Sequence, residues 1–205
     1  MPIVNSPESY EQVLSCTGDR NIFNITESGK VEFSTASGKV EAETRFIGHP
    51  ENPTIGANQL NDIGLSPVLL WWYKANLPAS ESLTQYTNFE HQSMVTYHSD
   101  YQLIFTSLLP HSSIGNRSRE ELLSMMVSLD HSVWFHDTVY GHEWLLYRME
   151  SHRASYGRVL LVGKLFNMSG KLVVSVVQEG YLKQSNSYLE KKDPKTIYVN
   201  YPKII

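Results

Sequence analysis

The sequence predicts an α+β fold in which an antiparallel β-sheet wraps around one long central helix. Three observations predict it. A single strong helical period stands out, over roughly 88–108. Two strand-like runs precede it. Four more follow it, and a four-residue turn joins the last two. Strands, one helix and then a meander is the order of an α+β domain, not of alternating βαβ units.

Residues 1–40 are polar and weakly patterned, punctuated by Pro2, Pro7, Gly18, Gly29 and Gly38. They are expected to form a linker-like arm with one short helix around Tyr10–Ser15. The main domain is expected at 41–183. A strand begins near Val40, where Ala42, Thr44 and Phe46 alternate with Glu41, Glu43 and Arg45. Gly48-His49-Pro50-Glu51-Asn52-Pro53 breaks it, and 54–66 has the composition of a loop. Val68–Ala75 is short, apolar and aromatic, which predicts a buried strand rather than a helix; Leu77-Pro78 ends it. Thr87-Asn88-Phe89-Glu90 has the spacing of a capping box. Met94, Tyr97, Tyr101, Ile104, Phe105 and Leu108 then recur at three and four, which predicts a helix ending before Pro110. After a polar loop at 111–121, strands are expected at 123–136, 143–150, 158–166 and 171–181. Asn167-Met168-Ser169-Gly170 forms the last hairpin. Residues 184–205 make a polar tail, with Tyr198-Val199-Asn200-Tyr201 able to pack back. One helix cannot cover both faces of such a sheet. The sheet is expected to wrap it on one side and to meet another layer or subunit elsewhere. This is the description of a hotdog fold.

The totals exclude several classes. A chain of 205 residues defaults to one domain and can bury a core without staples. A net charge of −4 makes no case for nucleic acid or an anionic membrane. Cys16 is the only cysteine, so neither an intrachain disulfide nor a thiolate metal cluster can form. No apolar run is long enough to span a bilayer. The N-terminus lacks the pattern of a signal peptide. Lys203-Ile204-Ile205 is not a peroxisomal tripeptide. An intracellular protein is expected, cytoplasmic or peroxisomal. There is no P-loop and no dinucleotide fingerprint, and no cofactor is expected.

The polar stretch Ser128-Leu129-Asp130-His131-Ser132-Val133-Trp134-Phe135-His136 carries the densest chemistry. Regular alternation puts His131, Val133 and Phe135 on one face and Ser128, Asp130, Ser132, Trp134 and His136 on the other. His131 and His136 then point apart, so packing or hydrogen-bonding roles are expected for both and a backbone-capping role for Asp130. Ser128 has no nucleophile elbow around it, and taken alone it reads first as a tolerated strand serine. Asp100 falls at about −120° from Met94, beside an apolar stripe spanning about −80° to +20°. It is either a solvated flank residue or a rim carboxylate, partly desolvated and suited to general-base work. Gln178 shares a face with Leu172, Val174 and Val176. Burying its amide without partners would cost about 1–3 kcal/mol, so it must have them, whether structural or ligand.

These motifs resemble the type II acyl-CoA thioesterases, bacterial and peroxisomal. The matching segments are Ser128–His136, Glu143-Trp144-Leu145-Leu146-Tyr147, Val177-Gln178-Glu179-Gly180, and upstream His91-Gln92 with Tyr97-His98-Ser99-Asp100. The match covers roughly 40–183. The resemblance implies hydrolysis of acyl-CoA by a water held between Asp100, Ser128 and Gln178, without an acyl-enzyme. The fifty-residue separation of Ser128 and Gln178 agrees with the family spacing; the stretch between Asp100 and Ser128 is longer here. An oxyanion site at backbone N–H groups of a helix N-terminus is expected. Trp71, Trp72, Tyr97 and Phe105 are candidates either for an acyl tunnel or for core. The family's fold is a double hotdog, and only the C-terminal unit is matched. The chain is therefore expected to self-associate as a homodimer or larger oligomer, or to act as a non-catalytic, partner-dependent half. Hydration of enoyl-CoA is disfavoured, because it needs an Asp/His pair presented together and His98 lies on another helical face from Asp100.

Overall fold

The computed structural model describes residues 5–9, 12–16, 22–25, 31–34, 40–48, 67–75, 86–101, 103–111 and 123–185. The loop at 54–66, most of the 111–121 loop and the tail beyond Ser185 lie outside them. The described strands are β1 (Gln12–Cys16), β2 (Ile22–Ile25), β3 (Val31–Ser34), β4 (Val40–Gly48), β5 (Val68–Ala75), β6 (Leu123–Ser128), β7 (Ser132–Phe135), β8 (Leu145–Ser155), β9 (Arg158–Phe166) and β10 (Leu172–Gln184). One α-helix, α1 (Asn88–Tyr101), lies between β5 and β6. Eight strands form one antiparallel sheet in the order β1-β4-β5-β8-β9-β10-β6, with β7 also on the far side of β10; β2 and β3 pair separately. A helix is expected around Tyr10–Ser15; of these residues the described ones, from Gln12 on, lie instead in strand β1, which joins the sheet edge along β4.

The central strands follow from their residue types. In β9, Val159, Leu161, Gly163 and Leu165 are buried, while Arg158, Leu160 and Lys164 are exposed. That is the alternation of a strand with one face on the core. Two turns fix the register. Tyr156 and Gly157 both take positive φ (51° and 78°) between the paired residues Ser155 and Arg158. This is the geometry of a two-residue type I′ hairpin, and it extends β8 beyond the expected 143–150. At the second turn Asn167 closes on Lys171 and Gly170 takes φ 82°, as its sequence predicts.

α1 packs on one face of the sheet. Val95 and Leu103 share a core with Trp71, Tyr73, Leu145, Tyr147, Leu161, Val174 and Val176. Leu70, Trp72 and Leu146 form a second cluster on the opposite face. The Trp72 indole N–H there donates to the carbonyl of Asn5 (3.2 Å). Burial of β5 on both faces explains its apolar run from Val68 to Tyr73.

The helix differs from expectation in two ways. It stops at Tyr101, and Ile104–His111 continues as a 3₁₀ segment, so there is no continuous helix over 88–108. Leu103 N–H reaches back only to Asp100 C=O (3.3 Å) and Thr106 N–H to Leu103 C=O (3.1 Å). This three-residue closure tightens the chain and brings Leu103 and Ile104 into the core. The buried side of α1 is also His91, Val95 and Ser99, while Tyr97 is 55% exposed. The start of the helix is as predicted. Glu90 accepts from both N–H and O–H of Thr87, which in turn accepts from the Glu90 amide. The Thr87 backbone bond, first, and its hydroxyl hold the Glu90 carboxyl below the usual carboxylate range.

The expected strand at 123–136 is two strands with a bulge between them. Ser128 pairs with Gly180, but Ser132 pairs with Val177. Four steps on one strand face three on the other, so one residue is extra. An extra residue reverses which face the following side chains occupy. Ser128, His131, Val133 and Phe135 thereby come to the Gln178 side, correcting the alternation read from sequence. Glu179 holds the bulge: its carbonyl accepts from Leu129 N–H (2.8 Å), and its own N–H donates to Asp130 Oδ1 (2.9 Å). Asp130 has the backbone-capping role expected of it.

Two outcomes follow. Asp130→Ala leaves the Glu179 amide without its acceptor. It is expected to speed hydrogen exchange at that amide and to lower stability by about 1 kcal/mol; unchanged protection would mean that the bulge holds without the carboxylate. At Gly163, a Cβ would lie 2.6 Å from the Tyr147 ring. Gly163→Ala is expected to cost about 1–3 kcal/mol in urea unfolding, since the buried ring has no slack; an unshifted midpoint would contradict that packing.

Candidate active site

Three elements meet at one carboxylate oxygen. Asp100 stands in the last turn of α1, Ser128 at the end of β6 and Gln178 in the middle of β10. Gln178 Nε2 donates to Asp100 Oδ1 (2.7 Å) and to Ser128 Oγ (2.5 Å), and Ser128 Oγ donates to the same Oδ1 (3.2 Å). These bonds span 78, 50 and 28 residues of sequence. The three residues singled out separately in the sequence form one contiguous group.

Their exposures differ in a useful way. Gln178 is fully buried, at 0% exposure, while Asp100 keeps 51% of its side chain exposed and Ser128 is also exposed. Position on the helix decides this. The buried line runs through Val95 and Ser99, and Asp100 is one residue further round. It is a rim carboxylate, though the apolar stripe used to place it is not the buried one. All the bonds above go to Oδ1; Oδ2 takes none of them.

The carboxylate also sits at the negative end of the α1 dipole, an unfavourable place for an anion. The donors from Gln178 and Ser128 offset that cost. Beneath it, the buried phenol of Tyr147 donates to the carbonyl of Ser99 (2.7 Å). Burial, first, and the nearby Asp100 charge push the Tyr147 hydroxyl well above its ordinary range, so it stays a neutral donor. Gly180 lets the 3₁₀ segment approach β10: a Cβ there would lie 2.8 Å from Ile104 Cδ1 and 2.9 Å from Val159 Cγ2.

Sequence reasoning missed His131 as a member of this group. Its Nδ1 lies 3.2 Å from Gln178 Oε1 and 3.8 Å from Asp100 Oδ1, and its Nε2 lies 2.8 Å from Ser99 Oγ. The bulge puts it there. The available signal was Asp130, since an aspartate inside a strand pattern marks an irregularity. His136 stays apart and bonds Ser175 Oγ at 2.8 Å. Trp71 and Trp72 are core, and Phe105 packs partly buried against it. Asn88, at the N-terminus of α1, is twelve residues from Asp100 in the same chain, about 18 Å along the axis. Among the described residues, no group of three or more His, Cys, Asp or Glu side chains could hold a metal, and no helix is long and apolar enough to cross a membrane.

The chain is similar to known proteins in sequence and in fold. Acyl-coenzyme A thioesterase 8 of Rattus norvegicus is 32% identical over 170 residues, 82% of this chain and 48% of that protein. The chain spans about half the length of the curated relatives it matches. An acyl-CoA thioesterase II of Mycobacterium marinum superposes with a TM-score of 0.55 at 24% identity, over 86% of this chain and 75% of that one. A hot dog fold protein of Alicyclobacillus acidocaldarius superposes with a TM-score of 0.53 at 14% identity, over 89% of this chain and 54% of that one. The architecture is thus a hotdog fold. Residues 71–181, which contain Asp100, Ser128 and Gln178, match the acyl-CoA thioesterase family, and the chain belongs to that family.

Proposed function

We propose that this protein hydrolyses acyl-CoA thioesters to a free fatty acid and CoA, using a water held by Asp100, Ser128 and Gln178. One observation carries the reading. A fully buried amide spends both its N–H bonds on a half-exposed carboxylate and an exposed hydroxyl from two other elements. Such an arrangement fixes the two outer groups and leaves them facing a ligand.

The water lies between Asp100 Oδ2 and Ser128 Oγ. Its oxygen attacks the thioester carbonyl carbon, and its proton passes to Asp100. The tetrahedral intermediate collapses, the C–S bond breaks, and the thiolate of CoA leaves and takes up that proton. Ser128 and Gln178 contribute by alignment rather than by bond-making. Ser128 is assigned to the water and not to nucleophilic attack, as the family resemblance implies; its hydroxyl proton is held on Asp100 Oδ1, and its oxygen accepts from Gln178. Enoyl-CoA hydration fits less well even though His131 lies near Asp100: both its ring nitrogens face protein groups, which leaves neither for substrate. The proposed setting is intracellular, cytoplasmic or peroxisomal, the peroxisomal option following from the family alone.

A partner is part of the proposal. Met125, Val127, Leu129 and Trp134 are 40–50% exposed along β6, the bulge and β7, at one end of the sheet. Exposed apolar side chains in a row favour burial against another surface. A second copy of this chain is the proposed occupant. The rival reading, a non-catalytic protein that binds acyl-CoA or another hotdog subunit, is favoured by the same exposure.

Release of CoA thiol from a panel of acyl-CoAs tests the chemistry. Asp100→Asn is expected to lower kcat by about 10²–10⁴-fold. Gln178→Leu is expected to abolish most activity and to lower stability by about 1–3 kcal/mol: Asp100 and Ser128 can turn to water, but His131 loses the acceptor for its Nδ1. Full activity in both variants would rule out this site. The partner is tested by the mass of the protein in solution. A dimer is expected, and Trp134→Glu is expected to shift it to monomer; an inert monomer of the unaltered protein would favour the non-catalytic reading.

A further inference from the structure

We infer that His131 is a positioning residue that locks the Gln178 amide through a proton on Nδ1; this rests on the reading of Asp100, Ser128 and Gln178 given above. The argument follows the hydrogen bonds. An ionised carboxylate only accepts, so the Gln178 atom 2.7 Å from Asp100 Oδ1 is the nitrogen. The amide oxygen therefore faces the other way, toward His131 Nδ1 at 3.2 Å. An amide oxygen also only accepts, so Nδ1 carries a proton. The other ring nitrogen meets Ser99 Oγ at 2.8 Å, and Ser99 is fully buried.

Two states satisfy this network. In one, Ser99 donates to Nε2 and the imidazole is neutral. In the other, Ser99 keeps its 2.8 Å bond to the Thr96 carbonyl, Nε2 donates to Ser99, and the ring is an imidazolium. The proton on Nδ1 is common to both. If it moved to Nε2 alone, two lone pairs would face each other across 3.2 Å. The amide would then be driven to flip, turning its oxygen toward Asp100 and withdrawing both N–H groups from Asp100 and Ser128. His131 thus acts on the reaction only through Gln178.

The structural claim has a readout that needs no turnover. In a long-range ¹H–¹⁵N spectrum of the unaltered protein, His131 Nδ1 is expected to be protonated near neutral pH; a bare Nδ1 with protonated Nε2 overturns the inference. The functional claim is read from kinetics. His131→Leu is expected to lower kcat by about tenfold to a hundredfold with little change in KM. His131→Asn, whose amide can present a donor close to the Nδ1 position, is expected to recover most of that loss, and His131→Gln, whose amide reaches the Nε2 position, is not. In a Gln178→Ala background His131→Leu is expected to cost nothing more, because the two act as a unit. A loss that persists in that background, or equal behaviour of the Asn and Gln variants, overturns the inference. Should His131→Leu not fold, the Asn and Gln pair and the spectrum still decide. Asp100→Asn separates the two proposals: a crippled Asp100→Asn beside a fully active His131→Leu removes His131 alone, whereas a fully active Asp100→Asn removes the site itself.

Discussion

The buried amide of Gln178 is the constraint around which the rest of the site is arranged. It sits at 0% exposure in a strand whose neighbours on the same face are Val174 and Val176. An amide buried there unpaired would cost on the order of 1–3 kcal/mol. The chain satisfies it with side chains from three other places: Asp100 from the helix, Ser128 from β6, and His131 from the bulge. Every one of these contacts joins residues far apart in sequence. Folding is therefore what assembles the group, and the amide ties helix, edge strand and central strand together.

The bulge between β6 and β7 makes this possible. On a regular strand Ser128 and His131 would lie on opposite faces, and only one could reach Gln178. One extra residue, held by Asp130 and the Glu179 backbone, brings both to the same side. Bulges commonly re-aim side chains beside functional sites, and here the effect can be named residue by residue. The bulge also explains why Asp130, the most conspicuous carboxylate of the stretch, does structural work while the quieter Ser128 faces Asp100.

Much of this was legible in the sequence because it rests on short-range rules. β5, β9, the 167–170 turn and the capping box at Thr87 and Glu90 are set by composition, alternation and local hydrogen bonds. Their observed forms match. The family motifs placed Asp100, Ser128 and Gln178 on the right elements. What was not legible depended on the third dimension. The apolar period over 94–108 pointed to a face of α1 that is not the buried one, because the helix packs through Val95 and Ser99, where small side chains allow close approach to the Tyr147 hydroxyl. The end of the α-helix at Tyr101 has no glycine or proline to mark it; the tightening to 3₁₀ is set by Leu103 and Ile104 entering the core. The register step that brings in His131 exists only in the pairing with β10.

The site also divides labour by depth. The outermost groups, Asp100 and Ser128, are exposed and are the ones that the proposed reaction would bring to a water and a carbonyl. Gln178 lies beneath them and cannot reach solvent, so it cannot be displaced by it. His131 is 17% exposed and lies between the amide and the buried Ser99. Below that, the Tyr147 phenol stays neutral and grips the backbone at Ser99, one residue before Asp100. Each layer fixes the one above it. A carboxylate placed on a helix flank would by itself be a mobile, hydrated anion at the unfavourable end of the dipole. The donors on its Oδ1 turn it into an oriented one. Orientation of this kind comes from buried polar groups behind the carboxylate, and it is the kind of order that the proposed attack by a held water would draw on.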